Sequence, residues 1–531
     1  MHPPLFTPLT TGSVKKGHRL WMPLSVLFLA AAAIGVIGNL PEFERNLKGW
    51  SIAAIVLLAA VIVLLWFAFL SRIRGRTRLL GLGGLAFLAL VMAFTTRIDG
   101  TTSGIGFPRL TWKWAPHRGA PPSTAPLPIR SEPPLPRTDL VDVPQFFGPN
   151  RDGLVRGARL ARDWNANPPR ELWRQSIGSG WSAFSVVAGR AYTQEQRGEE
   201  ETVTCYDLLS GRLLWLHGNP VHFTQWQGGD GPRATPTVDH GRVYAMGATG
   251  ILDCLDAVTG QRIWSRDVLK ENNLENLEWG MSGSPLVFDE SVVVTGGNTN
   301  GASLLAYQRA TGEPLWHSGR DKASYASPLL ATLAGKRLIL SPNAGSLTAH
   351  DPGTGEIVFD HPWPDEKRPK AAQPVLVGSD RVFLSAGYGV GCVLLEIKAG
   401  ADGKLSGTPL WKNLRMKTQF NSAAARDGFF YGLDDGLLAC VEIGTGERKW
   451  KEGRYGSGQT LLVDDLILIQ SEPGAVILAE AKPEGGRELG RLPALSSKTW
   501  NHPTLAGRYL LVRNDREAVC YELPVEAAGS E

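Results

Sequence analysis

The sequence predicts an all-β fold, an eight-bladed β-propeller, preceded by three transmembrane α-helices. Three observations predict it: three uncharged runs of 18 to 21 residues before residue 100, a proline-rich stretch after them, and a strand-turn-strand pattern that then recurs every 39 to 52 residues. A chain of 531 residues exceeds one ordinary core of ~100 to 200 residues, so more than one structural unit is expected. Gly and Pro together, 61 and 36 residues, exceed the ~12% average share without any G-X-Y period, which indicates turn-rich β structure.

The helices come first. Leu20 to Gly38, Trp50 to Leu70 and Leu79 to Thr96 carry no charge, and each can cross ~30 Å of hydrocarbon at 1.5 Å per residue. Two further spans follow the first at once, so an uncleaved anchor is expected rather than a signal peptide. Lys15, Lys16 and Arg19 precede the first span and Arg72, Arg74, Arg76 and Arg78 fill the second loop, while Glu42, Glu44, Arg45 and Lys48 cancel in the first. Basic loops stay cytoplasmic, so everything after residue 97 is expected outside, which in the inner membrane of a bacterium means the periplasm. Gly81, Gly83 and Gly84 lie inside the third span, not after a strand, and read as a helix-packing face. Residues 101–144 hold ten prolines and no hydrophobic period, which predicts a stiff linker.

The formal net charge of +4 splits into +7 before residue 100 and −3 after it. A basic excess confined to the flanks of apolar spans leaves no electrostatic footprint for nucleic acid.

From residue 170 onward short β-branched runs alternate with Gly/Asp turns and end in a small-residue strand, a T/S-G turn and an aromatic. The clearest copies are CYDLLSGRLLW ending at Trp215, CLDAVTGQRIW at Trp264, AYQRATGEPLW at Trp316, AHDPGTGEIVF at Phe359 and CVEIGTGERKW at Trp450. Weaker copies end near Trp411 and Leu492, and ELW ends at Trp173 with no blade before it. Such a unit is the length of one four-stranded sheet, and sheets packed around an axis bury the faces that one alone would expose. The last unit, 499–523, lacks a terminal strand. Pairing it with Glu171 to Ser176 closes the ring and removes an open edge, giving eight blades over 145–525, or seven if the weak units fail.

This docking pattern, A/C-x-D-x-x-T-G-x-x-x-W, resembles that of the PQQ-like (quinoprotein-type) β-propeller family. FFGPNRDG (146–153), GPRATPTV (231–238) and YASPLL (325–330) resemble its bacterial branch of outer-membrane assembly lipoprotein-like propellers. The resemblance implies that each aromatic packs between blades. It also implies either a binding and scaffold module or a PQQ-dependent dehydrogenase that holds PQQ through Ca²⁺, an Asp base and an Arg near the quinone oxygens.

The residues carry little reaction chemistry of their own. Cys205, Cys254, Cys440 and Cys520 occupy one repeat position in four blades, which sets them apart around the ring as small buried residues; Cys392 is the fifth. No C-C pair, C-x-x-C-H, G-x-S-x-G, Walker loop or H-E-x-x-H occurs, and the ten histidines show no metal spacing, so no metal is assigned. The segment opening each blade lies innermost, so its first residues ring the channel mouth. Trp181, Arg233, Trp279, Tyr325, Lys370, Asn421, Trp500 and His502 are the candidate ligand-binding residues, suited to a flat, anionic or carbonyl-rich ligand. Asp230, three residues before Arg233, is a weak candidate base. The favoured reading is a membrane-anchored binding module for a periplasmic protein partner or small-molecule ligand; the alternative is a PQQ- and Ca²⁺-dependent alcohol or sugar dehydrogenase passing electrons to membrane quinone.

Alkaline-phosphatase fusions test the topology. A fusion at residue 110 is expected to be active and one at residue 75 inactive; the reverse pattern would remove the periplasmic assignment.

Overall fold

The computed structural model describes residues 20–40, 44–104, 106–115, 140–298, 301–401 and 403–526. Lys15, Lys16, Arg19 and most of the proline-rich stretch lie outside them. The chain divides into two compact units, 1–97 with 110–114, and 98–109 with 115–531.

In the first unit α1 is Trp21–Asn39, α2 is Arg45–Leu65 continuing through a π turn at Trp66–Leu70, and α3 is Gly75–Thr95. All three are long and apolar enough to cross a membrane. The π turn is held at its end by Arg78, which donates to the Ala68 and Ile73 carbonyls at 2.8 and 3.3 Å. Of Gly81, Gly83 and Gly84 within α3, Gly81 makes the close approach: a Cβ there would stand 2.9 Å from the Phe67 ring, while none would meet anything at Gly83 or Gly84. The stretch after α3 does not begin as a tether. Thr96–Thr101 and Pro108–Trp112 pair as a two-stranded hairpin, because Thr, Ile, Leu and Trp on either side of a glycine-containing turn favour strand pairing over an extended coil.

The second unit is an eight-bladed propeller, not a seven-bladed one. Blade 1 contains Ser185–Val187, Arg190–Arg197, Glu200–Asp207 and Leu213–Asn219, antiparallel in that order. Blades 2 to 6 repeat it, from Thr237–Asp239 to Arg262–Asp267, Leu286–Phe288 to Pro314–Ser318, Leu329–Leu333 to Ile357–Pro362, Val375–Val377 to Leu405–Asn413, and Ala424–Arg426 to Arg448–Glu452. Blade 7 spans Gln459–Val463 to Glu488–Leu492 and gains Leu154–Val155 as a parallel fifth strand. Blade 8 takes Thr504–Ala506, Tyr509–Arg513 and Glu517–Glu522 from the C-terminal end and Arg170–Ser176 from the start, with Cys520 opposite Trp173. The ring closes as the repeat arithmetic requires.

The core is divided among eight seams, each an apolar cluster shared by two successive blades. The docking aromatic explains each seam. A Cβ on Gly211, Gly260, Gly312, Gly355 or Gly446 would lie 2.5 or 2.6 Å from the ring of Trp173, Trp215, Trp264, Trp316 or Trp411 of the preceding blade. These five glycines also sit at φ between +69° and +75°, so both the backbone conformation and the space exclude a side chain. The indole N–H of Trp173, Trp215 and Trp411 then donates across the seam to the carbonyls of Leu208, Ala257 and Ile443 at 2.8 to 3.1 Å.

The weak copies have structural reasons. Blade 5 replaces the T-G turn by a long hairpin, Gly391–Ala399 with Leu405–Asn413, and Phe359 stacks instead on Gly407. Blade 7 ends in Leu492, with no ring to offer. Trp164, from the segment ahead of the closing strand, fills that place and stands 2.6 Å from a Cβ on Gly490.

Closure predicts a stability effect. Trp173→Ala should cost about 3–5 kcal/mol, the range for emptying a buried indole site, and should match Trp215→Ala at an internal seam in denaturant unfolding. A loss under about 1 kcal/mol for Trp173→Ala alone would mean that the last blade does not depend on its borrowed strand.

Candidate functional site

The channel of the propeller is lined by the first strand of each blade, and one register position ties those strands together. The backbone N–H groups of Ala183, Thr235, Ser284, Ser327 and Gln373 each donate to a side chain of the next blade: Thr235, Ser284, Ser327, Gln373 and Ser422, at 2.9 to 3.2 Å. Gln459 donates to the Phe420 and Trp500 carbonyls at 3.0 and 2.9 Å, and Asn501 to that of Ser182 at 2.8 Å. These bonds are the physical content of the A-T-P, G-S-P, A-S-P and A-Q-P repeats: a neutral side-chain acceptor where two inner strands converge, then a proline with no N–H to leave unpaired.

One end of the channel is stoppered by Gln145 to Gly153. Arg151 is 1% exposed and donates to the Pro328 and Ser284 carbonyls at 2.8 and 3.2 Å, to that of Pro285, and from Nε to Gln145 Oε1 at 2.8 Å. Burial lowers its guanidinium to about 9. A cavity of about 200 Å³ lies beside this stopper, lined among others by Phe146, Phe147, Phe184, Leu461 and His502. His502 therefore stands apart from the other candidate residues: Phe146 and Phe147 meet its ring edge-on at 5.5 and 5.1 Å.

Four of the eight candidates, Trp181, Trp279, Tyr325 and Trp500, gather in aromatic groups at the other end. Trp181 and Trp500 lie 4.8 Å apart between ring centroids, Phe420 and Trp500 5.4 Å, and Trp279 and Tyr325 5.5 Å. Lys498 Nζ rests 4.2 Å over the Trp500 ring and 5.9 Å from that of Trp181. Beneath them Glu472, 4% exposed, accepts from the Ser457 N–H at 3.0 Å and the Trp500 indole N–H at 2.9 Å.

The cations picked out from sequence are committed inward. Arg233 donates to the Gly229 carbonyl at 2.8 Å and to that of Gly231, its guanidinium lies 4.6 Å from the Phe223 centroid, and burial lowers it to about 10. Lys370, 3% exposed and lowered by burial to about 8, donates to the Asp365 carbonyl at 2.8 Å and to that of Ala344. Asn421 is buried, and Asp230 faces His222 at 4.0 Å.

The PQQ-like family model described as outer membrane protein assembly factor BamB matches residues 161–268 and 199–452. The chain belongs to that family. An outer membrane protein assembly factor BamB of Bordetella pertussis is 23% identical over 324 residues, 57% of this chain and 72% of the relative. A quinohemoprotein alcohol dehydrogenase ADH-IIG of Pseudomonas putida is 31% identical over 136 residues, 25% of this chain and 18% of that one. The crystal structure of BamB from Moraxella catarrhalis shares the fold at a TM-score of 0.50 and 14% identity, over 67% of this chain and all of that one. The family matches begin at residue 161, past the three helices.

In this BamB-like propeller the residues that sequence reasoning missed at the mouth are Lys498 and Glu472. Lys498 stands two positions before Trp500, a visible signal in K-T-W-N. Glu472 follows the second strand of blade 7, Leu466–Gln470, and nothing local marks it as a mouth residue.

Acid stability reports on the stoppered end. Burial pushes His502 down to about 4, below the ~6.5 of an unfolded histidine, so between those values the unfolded chain binds the extra proton and stability falls as pH falls. The full loss is on the order of 3 kcal/mol. His502→Phe should flatten the dependence of denaturation midpoint on pH between 6.5 and 4; an unchanged slope would place the titration elsewhere.

Proposed function

We propose that this chain is a periplasmic binding module, anchored in the bacterial inner membrane with its N-terminus cytoplasmic, that holds a protein partner at the propeller mouth and performs no chemistry of its own. The observation that carries this reading is what the mouth already grips: polypeptide backbone. Lys498 donates to the Thr101 carbonyl at 2.6 Å, and Glu472 accepts from the Gly104 N–H. An ammonium for a carbonyl and a carboxylate for an amide, set among aromatic rings, are the groups that hold a peptide. Next in the chain to Gln227, whose carbonyl accepts from the Thr101 hydroxyl, Trp226 is 57% exposed, an aromatic of the kind that anchors protein interfaces. The assembly-factor names of the relatives support a protein partner in the cell envelope.

The local match to a quinohemoprotein alcohol dehydrogenase favours the second reading, a PQQ- and Ca²⁺-dependent enzyme. The mouth does not fit that group well. Calcium takes 6–8 oxygen ligands, and the described residues contain no group of three or more His, Cys, Asp or Glu able to hold a metal. Arg233 and Lys370 are spent on backbone carbonyls.

Titrating the detergent-solubilised protein with PQQ and Ca²⁺ separates the readings. Neither saturable quenching of tryptophan fluorescence nor dye-linked alcohol oxidation is expected, while a photo-cross-linking residue at Trp226 should capture a discrete protein in cells. Calcium-dependent turnover would overturn the binding-module reading.

A further inference from the structure

The hairpin that follows α3 carries Thr101 and Gly104 into the mouth. The turn is closed by the Thr102 N–H on the Phe107 carbonyl at 2.9 Å and the Gly106 N–H on the Ser103 carbonyl at 3.0 Å, with Gly106 at φ +86°. Thr101 is 1% exposed although it lies in a segment that composition marks as solvent-borne linker. Its hydroxyl donates to the Gln227 carbonyl at 3.1 Å, and Lys498 Nζ reaches its carbonyl at 2.6 Å and its hydroxyl oxygen at 3.0 Å. Gly104 donates to Glu472, and a Cβ there would stand 2.3 Å from Ser457 Oγ and 3.3 Å from the Phe420 ring. The pocket thus accepts glycine at that place for want of space, while its cation and carboxylate take the backbone on either side.

We propose that Thr101–Gly104 is a ligand supplied in cis: the mouth is a site for a glycine-bearing turn of polypeptide, and the chain's own hairpin occupies it until a partner's turn of the same chemistry takes its place. This rests on the mouth being the binding site. The covalent link makes the cis copy an intramolecular ligand with an effective concentration on the order of millimolar, so a free competitor meets a closed mouth and gains affinity in proportion as the cis copy is expelled. Specificity follows from Gly104, since a branched side chain at that position collides with Ser457 and Phe420 whether it arrives in cis or in trans.

Two measurements on the full-length protein in detergent test this. The first is a Gly104→Cys, Ser457→Cys pair: the Ser457 Oγ that a Cβ at 104 would meet is replaced by the sulfur it is to bond, a Cβ at 104 lies 3.1 Å from Ser457 Cβ, near the ~3.5–4.5 Å that a disulfide spans, and the five native cysteines are buried. With a protease site inserted in residues 116–139, the two fragments should stay joined after cleavage until reductant is added. The second is anisotropy of a labelled peptide of residues 96–112 closed by a disulfide across its ends. Gly104→Val should bind it at least tenfold more tightly than the parent protein, and Lys498→Met added to Gly104→Val should abolish that gain without moving the melting temperature. Cross-linking together with the tenfold gain supports the proposal. Absence of the cross-link overturns the cis occupancy. If the parent and Gly104→Val bind the peptide equally, the closure is wrong and the mouth survives as a site. If the cross-link forms and neither protein binds peptide, the mouth is not a polypeptide site.

Discussion

The propeller depends on one contact repeated around the ring: an indole lying on a glycine of the next blade. A four-stranded sheet has two apolar faces and no core of its own, so each blade is stable only through its neighbours. The ring lies against a residue whose φ is positive and whose Cβ would overlap it, so conformation and packing demand glycine at the same position. Where the turn is lost the contact is kept by other means. Phe359 finds Gly407 on a hairpin, Trp450 finds Gly486, and Trp164 supplies the ring that blade 7 lacks. The seam is what the fold preserves; the turn motif is the commonest way to make it.

Once the seams fix the blades side by side, the inner strands are brought together along the channel, where their polar backbone has to be satisfied. The hydroxyl and amide ladder from Thr235 to Ser422 does so between neighbours, and Arg151 gathers the carbonyls of Ser284, Pro285 and Pro328 at one end. A buried guanidinium surrounded by carbonyls is tolerated because it spends its donors on groups that would otherwise be orphaned. The two ends of the channel thereby differ in kind. One is filled by a stopper wedged among carbonyls and phenyl rings, and the other by a hairpin turn gripped by an ammonium, a carboxylate and indoles.

That difference is consistent with a binding role. Arg233 and Lys370 look from sequence like ligand cations, yet they turn inward to carbonyls and hold loops in shape. The groups that do meet a ligand-like segment are Lys498 and Glu472, one over an indole face and one accepting an indole N–H. Their partner is the backbone of the chain itself, chemistry that suits a module of polypeptide recognition better than a redox centre.

The sequence by itself determined the helices, the blade length, the closing strand and the docking glycines, because each is set by local periodicity or by the conformational needs of single residues. Eight blades, with seven as the alternative, followed from the spacing of aromatics and from a terminal strand with no blade of its own. Tertiary structure alone decided the mouth. Lys498, Glu472, Phe420 and Trp181 come from four blades, His502 turns out to face the stopper, and Thr101 enters from a segment whose prolines suggested only a tether. A site assembled from several blades and a distant hairpin has no local spacing to record it, since its geometry is fixed by ring closure and not by neighbours along the chain.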